Sequence, residues 1–303
     1  MKFSNGCWLQ KEGCSCFAPA EAYFTKIEEK KVTICAPTAH IVTRGDTLGG
    51  INLTLEITSP APEILRVRTY HYKGEVVNTP SFELELKEEL PLDVTDSEEE
   101  ISIKSGELTL VITKKNWSMT YYRNGEMITR SAGRDLALMK TDFKGFAYND
   151  TDAEETYMRQ MLSLSVGELV YGTGERFTPF VKNGQSIDIW NADGGTEQSY
   201  KNIPFFITNK GYGVLVNHPE KVSIEVATEM VTRTEFSVPG GYLDYFLING
   251  PTMKEVLTRY TDLTGKPSLP APWTFGLWLS TSFTTNYDEA TVMSFIDGML
   301  DRG

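Results

Sequence analysis

The chain has 303 residues, 40% of them hydrophobic and 23% charged, the composition of a folded protein with room for a sizeable core and two domains. Its net charge is −12 and it shows no basic face, which argues against a nucleic-acid partner and leaves neutral substrates as a simpler fit than anionic ones. The N-terminus lacks the apolar core of a signal peptide, and no apolar run reaches the roughly 18 residues of a membrane span, so no membrane partner is expected and a cytoplasmic location is the default.

The first 60 residues carry Cys7, Cys14, Cys16 and Cys35. Cys14 and Cys16 are too close together for a usual zinc pair, and the chain has only three histidines, so reduced, partly buried thiols are expected rather than a metal site; nothing calls for a cofactor. Residues 31–35 (KVTIC) and 51–57 (INLTLEI) place every second residue on one face and predict strands, with Gly49-Gly50 as a turn between them. Residues 63–72 alternate only loosely, but their β-branched and aromatic content predicts another strand. Residues 82–86 alternate, and the acidic run 93–104 (DVTDSEEEISIK) reads as a solvated turn. Residues 107–113 (ELTLVIT) and 117–122 (WSMTYY) are strands, the second leading into Asn124-Gly125, a strong hairpin signal because both residues tolerate positive φ. Residues 162–166 and 169–171 bracket a Gly-Glu turn. Residues 213–216, 222–226 and 242–248 complete a series of at least a dozen short strands with no long helix before residue 250. Such a series predicts a mainly β, two-sheet sandwich.

The pattern changes at Gly250. Pro251 suits the first position of a helix whose apolar stripe is Met253, Val256, Leu257, Tyr260 and Leu263, and Gly265 with Pro267 stops it. After a Pro-rich crossing at 266–272, residues 274–279 (TFGLWL) read as a strand buried on both faces. A last helix opens at Asn286, with Glu289 placed for a capping box and Val292, Phe295, Ile296 and Met299 on one stripe. A domain boundary is therefore expected between 1–249 and 250–303. One strand with one helix is not a domain, because the strand has no parallel neighbour, so the chain reads as the front part of a longer molecule; the alternative is a complete sandwich with a C-terminal helical arm.

The densest polar and aromatic stretch is 170–219. Gly172-Thr173-Gly174 lacks the Lys-Ser/Thr of a P-loop and the third glycine of a dinucleotide loop, so it reads as a tight turn, with Glu175 and Arg176 as a candidate pair. In Trp190-Asn191-Ala192-Asp193-Gly194-Gly195, the glycines can leave Asp193 at a loop tip beside an aromatic ring. A carboxylate next to a ring is a common grip for a neutral sugar; an Asp capping its own turn is the equal alternative. Asp188, Asp193 and Glu197 are available for acid/base work, but no spacing fixes a pair of them. His218, at a strand end before Pro219, reads as a turn or hydrogen-bonding residue. Trp278, inside the predicted strand, reads as core, and Phe283, just past it, as a pocket residue.

The strings VYGTGERF (170–177), NGQSIDIWNADGG (183–195), YKNIPFF (200–206), NKGYGVLVNHP (209–219) and WTFGLWLSTSFTTNYDEA (273–290) resemble those of glycoside hydrolase family 31, in particular its bacterial α-xylosidases. The likeness covers essentially the whole chain and is strongest from residue 168 onward. It implies an N-terminal galactose-mutarotase-like β-sandwich followed by the start of a (β/α)8 barrel. It also implies a retaining mechanism with one Asp as nucleophile and a second as acid/base. The family's nucleophile string, of Lys-Thr-Asp-Phe-Gly-Glu type, is absent, so no catalytic residue is assigned and the chain alone is expected to be inactive. By the same resemblance Asp193 matches an Asp that the sandwich inserts beside the sugar, and Phe283 an aromatic that shapes the same subsite; both are expected to bind substrate. The implied activity is removal of terminal α-xylosyl residues from neutral xylosyl-glucose oligosaccharides, with an α-glucosidase of the same family or a non-catalytic carbohydrate-binding sandwich as alternatives. Relatives in the family often form homo-oligomers.

Overall fold

The computed structural model describes residues 1–6, 9–48, 50–72, 81–86, 88–142, 155–191, 201–278 and 288–303. The chain divides into two compact units, Met1–Gly265 and Lys266–Gly303.

The first unit is built on an eight-stranded antiparallel sheet. In spatial order its strands are Val170–Gly174, Asn202–Thr208, Tyr212–Val216, Tyr242–Asn249, Ile64–Tyr70, Asn52–Ala61, Lys31–Pro37 and Phe24–Glu28. The facing layer is divided. A six-stranded sheet runs Gln185–Ile189, Val222–Val226, Arg233–Pro239, Glu155–Ser163, Ala137–Thr141 and Cys14–Phe17. A five-stranded meander covers Asp93–Asp96, Glu100–Ser105, Leu108–Thr113, Ser118–Arg123 and Glu126–Ala132. The sandwich expected from the strand count is therefore present, with its second layer made of two sheets instead of one. Hydrogen bonds sew these two together: Gln160 Nε2 donates to Ser131 Oγ at 2.6 Å, and Thr129 Oγ1 donates to the Ser163 carbonyl at 3.0 Å.

Period-two patterning explains which side chains go inside. In Leu108–Thr113 the residues alternate strictly between buried and half-buried. Central strands of the large sheet are buried on both faces, as in Tyr212–Val216. Val214, Tyr245 and Leu247 join the main core with Ile224, Phe236 and Leu110 of the facing layer. The Phe236 ring meets Tyr245 edge-on at 5.2 Å, and the fully buried Tyr245 hydroxyl shares a 2.8 Å hydrogen bond with Tyr121 of the meander. Each such side chain contributes roughly 1.5–3 kcal/mol on burial.

The other face of the large sheet, with Phe205, Leu215, Phe246 and Ile248, is covered by helix α1, Met253–Thr264, through Val256 and Leu263. Tyr260 stacks on Phe205 at 3.9 Å between centroids. The helix begins at Met253, two residues later than the expected first helical residue Pro251: Thr252 is the N-cap, and its side chain and that of Glu255 cap each other's backbone in a capping box. Gly265, with φ of 95°, ends it as expected. Residues 82–86 do not form the expected strand. Leu84 packs beside the helix cluster and the Glu85 N–H donates to the Leu263 carbonyl at 2.8 Å, so this segment satisfies a helix C-terminus instead of a sheet edge.

Several hairpins follow the sequence signals. Asn124 and Gly125 have φ of 49° and 82° between their two strands. Cys14, Cys16 and Cys35 are free, half-buried thiols, as expected, while Cys7 lies outside the described residues.

In the second unit the expected strand at 274–279 is not found in its described part. Pro272–Phe275 is a 3-10 turn, and the residues after it are irregular, with Leu277 93% exposed. A parallel strand exists only by bonding a neighbour, and among the described residues of this unit there is no other strand to bond. Trp278, expected in the core, is exposed instead and donates from Nε1 to the Thr274 carbonyl at 2.7 Å. Helix α2, Glu289–Leu300, is capped by Asp288, whose Oδ1 accepts from the Thr291 N–H at 2.9 Å; Asn286, the expected opening residue, lies outside the described residues. Its apolar stripe of Val292, Phe295, Ile296 and Met299 is in place but remains exposed.

Candidate functional site

Asp193 and Phe283, the two residues expected to bind substrate, both lie outside the described residues. The described structure does fix the two stems of the Asp193 segment: the end of Gln185–Ile189 with Trp190 and Asn191, and Lys201 with the start of Asn202–Thr208.

Arg176 ties these stems together. Its Nη2 donates to the Asp188 carbonyl at 2.9 Å and to Asn202 Oδ1, and its Nε donates to the Thr173 carbonyl at 3.4 Å. Asn202 Nδ2 in turn donates to Asn191 Oδ1 at 2.7 Å, so one guanidinium and two amides join both stems and the turn beside them. The Glu175 N–H donates to the Lys201 carbonyl at 2.8 Å, a third tie to the second stem.

Gly172-Thr173-Gly174 is no phosphate cradle. It is a bulge where Val170–Gly174 pairs with Asn202–Thr208, with φ of 108°, 68° and 84° in succession. At Gly174 a Cβ would stand 2.0 Å from the Lys201 carbonyl oxygen, so only glycine lets the stem approach this closely.

Of the carboxylates the sequence offered for acid/base work, Asp188 is held by Lys221 at 2.7 Å. Asp193 and Glu197 lie outside the described residues.

Between the stems opens a pocket of about 260 Å³ lined by Phe82, Trp190, Asn191, Asn202, His218 and Glu220, among others. His218 reaches it from the end of Tyr212–Val216 and is 5% exposed. Burial pulls its pKa down to about 4, against the opposing pull of the Asp244 carboxylate, so the imidazole is neutral at neutral pH. Its Nε2 is enclosed without a hydrogen-bond partner among the described residues, 3.9 Å from Glu220 Oε2. Asp244 is itself held by Arg66 at 2.6–2.9 Å and by Asn217 Nδ2 at 2.7 Å. His218 is a buried neutral ring at a pocket wall, and among the described residues its Nε2 does not make the hydrogen bond expected of it. Arg176 was foreseen only as a partner for Glu175, and Asn191, Asn202 and Lys221 were not foreseen at all; each is an ordinary polar residue in the sequence, and only the fold brings them together.

Residues 54–225 match the family model for the glycosyl hydrolase 31 N-terminal galactose mutarotase-like domain. The chain belongs to glycoside hydrolase family 31. It is 43% identical to the α-xylosidase XylQ of Lactiplantibacillus pentosus and 41% identical to an α-xylosidase of Emericella nidulans, each across its whole length. It spans 39% and 40% of the length of those two relatives. Among solved structures, the cycloalternan-forming enzyme of Listeria monocytogenes, in complex with its pentasaccharide substrate, superposes with a TM-score of 0.70 at 20% identity, over 88% of this chain and 24% of that one. At that identity the likeness speaks for the shared fold, which is the mainly β architecture described above. The stems, the Arg176 tie and the pocket all lie within or next to the matched domain of this family member.

Proposed function

We propose that this chain is the N-terminal part of a retaining α-xylosidase that removes terminal non-reducing α-xylosyl residues from neutral xylosyl-glucose oligosaccharides. The observation that carries the reading is identity above 40% to two α-xylosidases, sustained over the whole chain. In this reading the nucleophile and the acid/base are supplied by residues outside these 303, and this chain supplies a wall of the sugar site. Asp193 accepts hydrogen bonds from the hydroxyls of the bound xylose, and Phe283 covers one side of the ring. Their role is positioning, which lowers the barrier by fixing the reacting carbon rather than by breaking a bond. The Arg176 tie would set where the Asp193 segment leaves the sandwich.

The test is kinetic, on the complete protein. kcat/KM is measured for nitrophenyl α-xyloside and nitrophenyl α-glucoside, with the xyloside expected to be preferred. A strong preference for the glucoside rejects the xylosidase assignment. Asp193→Ala is expected to lower kcat/KM on the xyloside about 100-fold with little change in melting temperature; unchanged kinetics rejects its sugar-contact role.

A further inference from the structure

A second pocket, of about 360 Å³, lies on the outer face of the six-stranded sheet, where Phe3 packs against Ala137, Met139 and Tyr157. Three arginines line it, Arg134, Arg159 and Arg233, in a chain whose net charge is −12. Two carboxylates line it as well, and both are committed to donors of the protein. Asp135 accepts from Arg233 Nε at 3.1 and 3.2 Å and from the Ala132 N–H at 2.9 Å. Glu229 accepts from the Phe3 N–H at 3.0 Å and from the Ser4 hydroxyl.

Arg159 is 6% exposed. Its Nη2 donates to the Arg134 carbonyl and lies 3.8 Å from Cys16 Sγ, and its guanidinium carbon lies over the Phe3 ring, 5.8 Å from the centroid. Its Nε is enclosed without a hydrogen-bond partner, its Nη1 makes no hydrogen bond, and it forms no ion pair among the described residues. Glu235, the buried carboxyl beside it, is pushed well above the ordinary 4.5 by burial and keeps a proton that an exposed carboxyl would lose. Arg134 is exposed and donates from Nη2 to Gln10 Oε1 at 2.6 Å, again with no carboxylate partner among the described residues. A buried guanidinium cannot shed its charge by losing a proton, so its desolvation calls for an anion to offset it.

The uncommitted polar groups of the pocket are therefore guanidinium donors, and Met139, Met161 and Met230 give it an apolar wall. A guanidinium fork matches the paired oxygens of a carboxylate or a phosphate. At about 360 Å³ the space stands at the small end of ligand pockets. We propose that this pocket binds a small organic anion, with its carboxylate or phosphate head on Arg159 and Arg134 and its apolar body against the three methionines. The proposal is independent of the xylosidase reading, since it uses only residues of the β unit. An anion held there joins the N-terminal segment to the six-stranded sheet and to the end of the meander, so its binding stabilises the unit.

The experiment titrates the complete protein with phenyl phosphate, with benzoate and with the neutral benzyl alcohol, each to about 10 mM, by calorimetry with melting temperature recorded in parallel. At least one of the two anions is expected to bind at a single site and to raise the melting temperature, and benzyl alcohol to do neither. The tighter of the two anions identifies the head as phosphate or carboxylate. Arg134→Gln, at an exposed side chain, is expected to weaken that anion about 10-fold. Arg159→Lys keeps the charge but loses the fork and is expected to weaken it by a similar factor. Should Arg159→Lys not fold, Arg134→Gln decides alone. No binding of either anion, binding of benzyl alcohol as tight as that of the anions, or an affinity unchanged in every folded variant overturns the proposal. Cleavage of nitrophenyl α-xyloside reads the xylosidase assignment separately, so the two can fail independently.

Discussion

Protonation of His218 is expected to be a main source of acid lability in the β unit. The ring is buried and neutral, with a pKa of about 4 against an ordinary value of 6.5. The unfolded chain therefore binds a proton below pH 6.5 that the folded chain refuses until about pH 4. The stabilisation from keeping the ring neutral is complete above pH 6.5, declines as pH falls through the window from 6.5 to 4, and is gone below it. At 1.36 kcal/mol per pH unit the full effect is roughly 3 kcal/mol, and about 2 kcal/mol of it is lost by pH 5. For a unit of this size that corresponds to roughly 4–8 °C in melting temperature. The groups facing the ring are Glu220, at 3.9 Å, and Asp244, whose charge already opposes the shift. The assay is the melting temperature of the wild type and of His218→Gln between pH 7.5 and pH 5. The variant cannot titrate, so the wild type is expected to lose its advantage, or increase its deficit, by that amount on acidification. Other titrating groups are common to both proteins and cancel in the difference. Two melting curves that run parallel over this range would refute the argument.

Leu263→Ala removes a 3%-exposed side chain from the seam between α1 and the large sheet and is expected to cost about 2–5 kcal/mol, read as a lower denaturant midpoint with the sheet signal melting in step. Gly174→Ala is expected to destabilise by at least about 2 kcal/mol, because φ of 84° disfavours a side chain and the new Cβ meets the Lys201 carbonyl at 2.0 Å; hydrogen exchange should quicken at 202–206, and unchanged exchange would contradict the close approach. Glu235 is fully buried beside Arg159 and Glu229, and burial pushes its carboxyl well above the ordinary 4.5, so the folded state keeps a proton that the unfolded state has lost. Its contribution is present below pH 4.5 and is lost as pH rises, so Glu235→Gln should gain on the wild type between pH 4.5 and pH 8 in the same melting assay; a gain in the opposite direction rules the argument out.

Much of the β architecture was legible because it is written locally. Asn124-Gly125 specifies its hairpin by backbone preference alone, and the alternation in 108–113 specifies which face turns inward. Thr252, Glu255 and Gly265 mark the ends of α1 by capping chemistry, although the sequence pointed first to Pro251. Non-local features were not legible. The split of the second layer into sheets of five and six strands depends on which strand edges meet, as when Gln160 finds Ser131, and no local pattern encodes that pairing. The apolar run 274–279 reads as a strand by composition, yet its described part is a turn and irregular chain, because strand formation requires a partner as well as a propensity.

For the site, resemblance supplied Asp193 and Phe283, and the structure supplies the frame around the first of them. That frame contains one of the four non-glycine residues with positive φ among the described residues. Thr173 holds φ of 68°, a left-handed conformation that a β-branched residue adopts only under constraint, and it is completely buried. Strain of this kind costs on the order of 1–3 kcal/mol and persists only where the surroundings over-determine the backbone. Here the surroundings are visible: the Thr173 hydroxyl donates to the Gly172 carbonyl at 2.6 Å, Arg176 holds the Thr173 carbonyl, and Gly174 lies against Lys201. Two of these groups reach the stems: Gly174 lies against Lys201, and Arg176 also bonds the Asp188 carbonyl and Asn202. A scaffold serving stability alone would relax such a turn with a third glycine. A turn kept strained and tied to both stems is better explained by a demand on where the segment between them must stand.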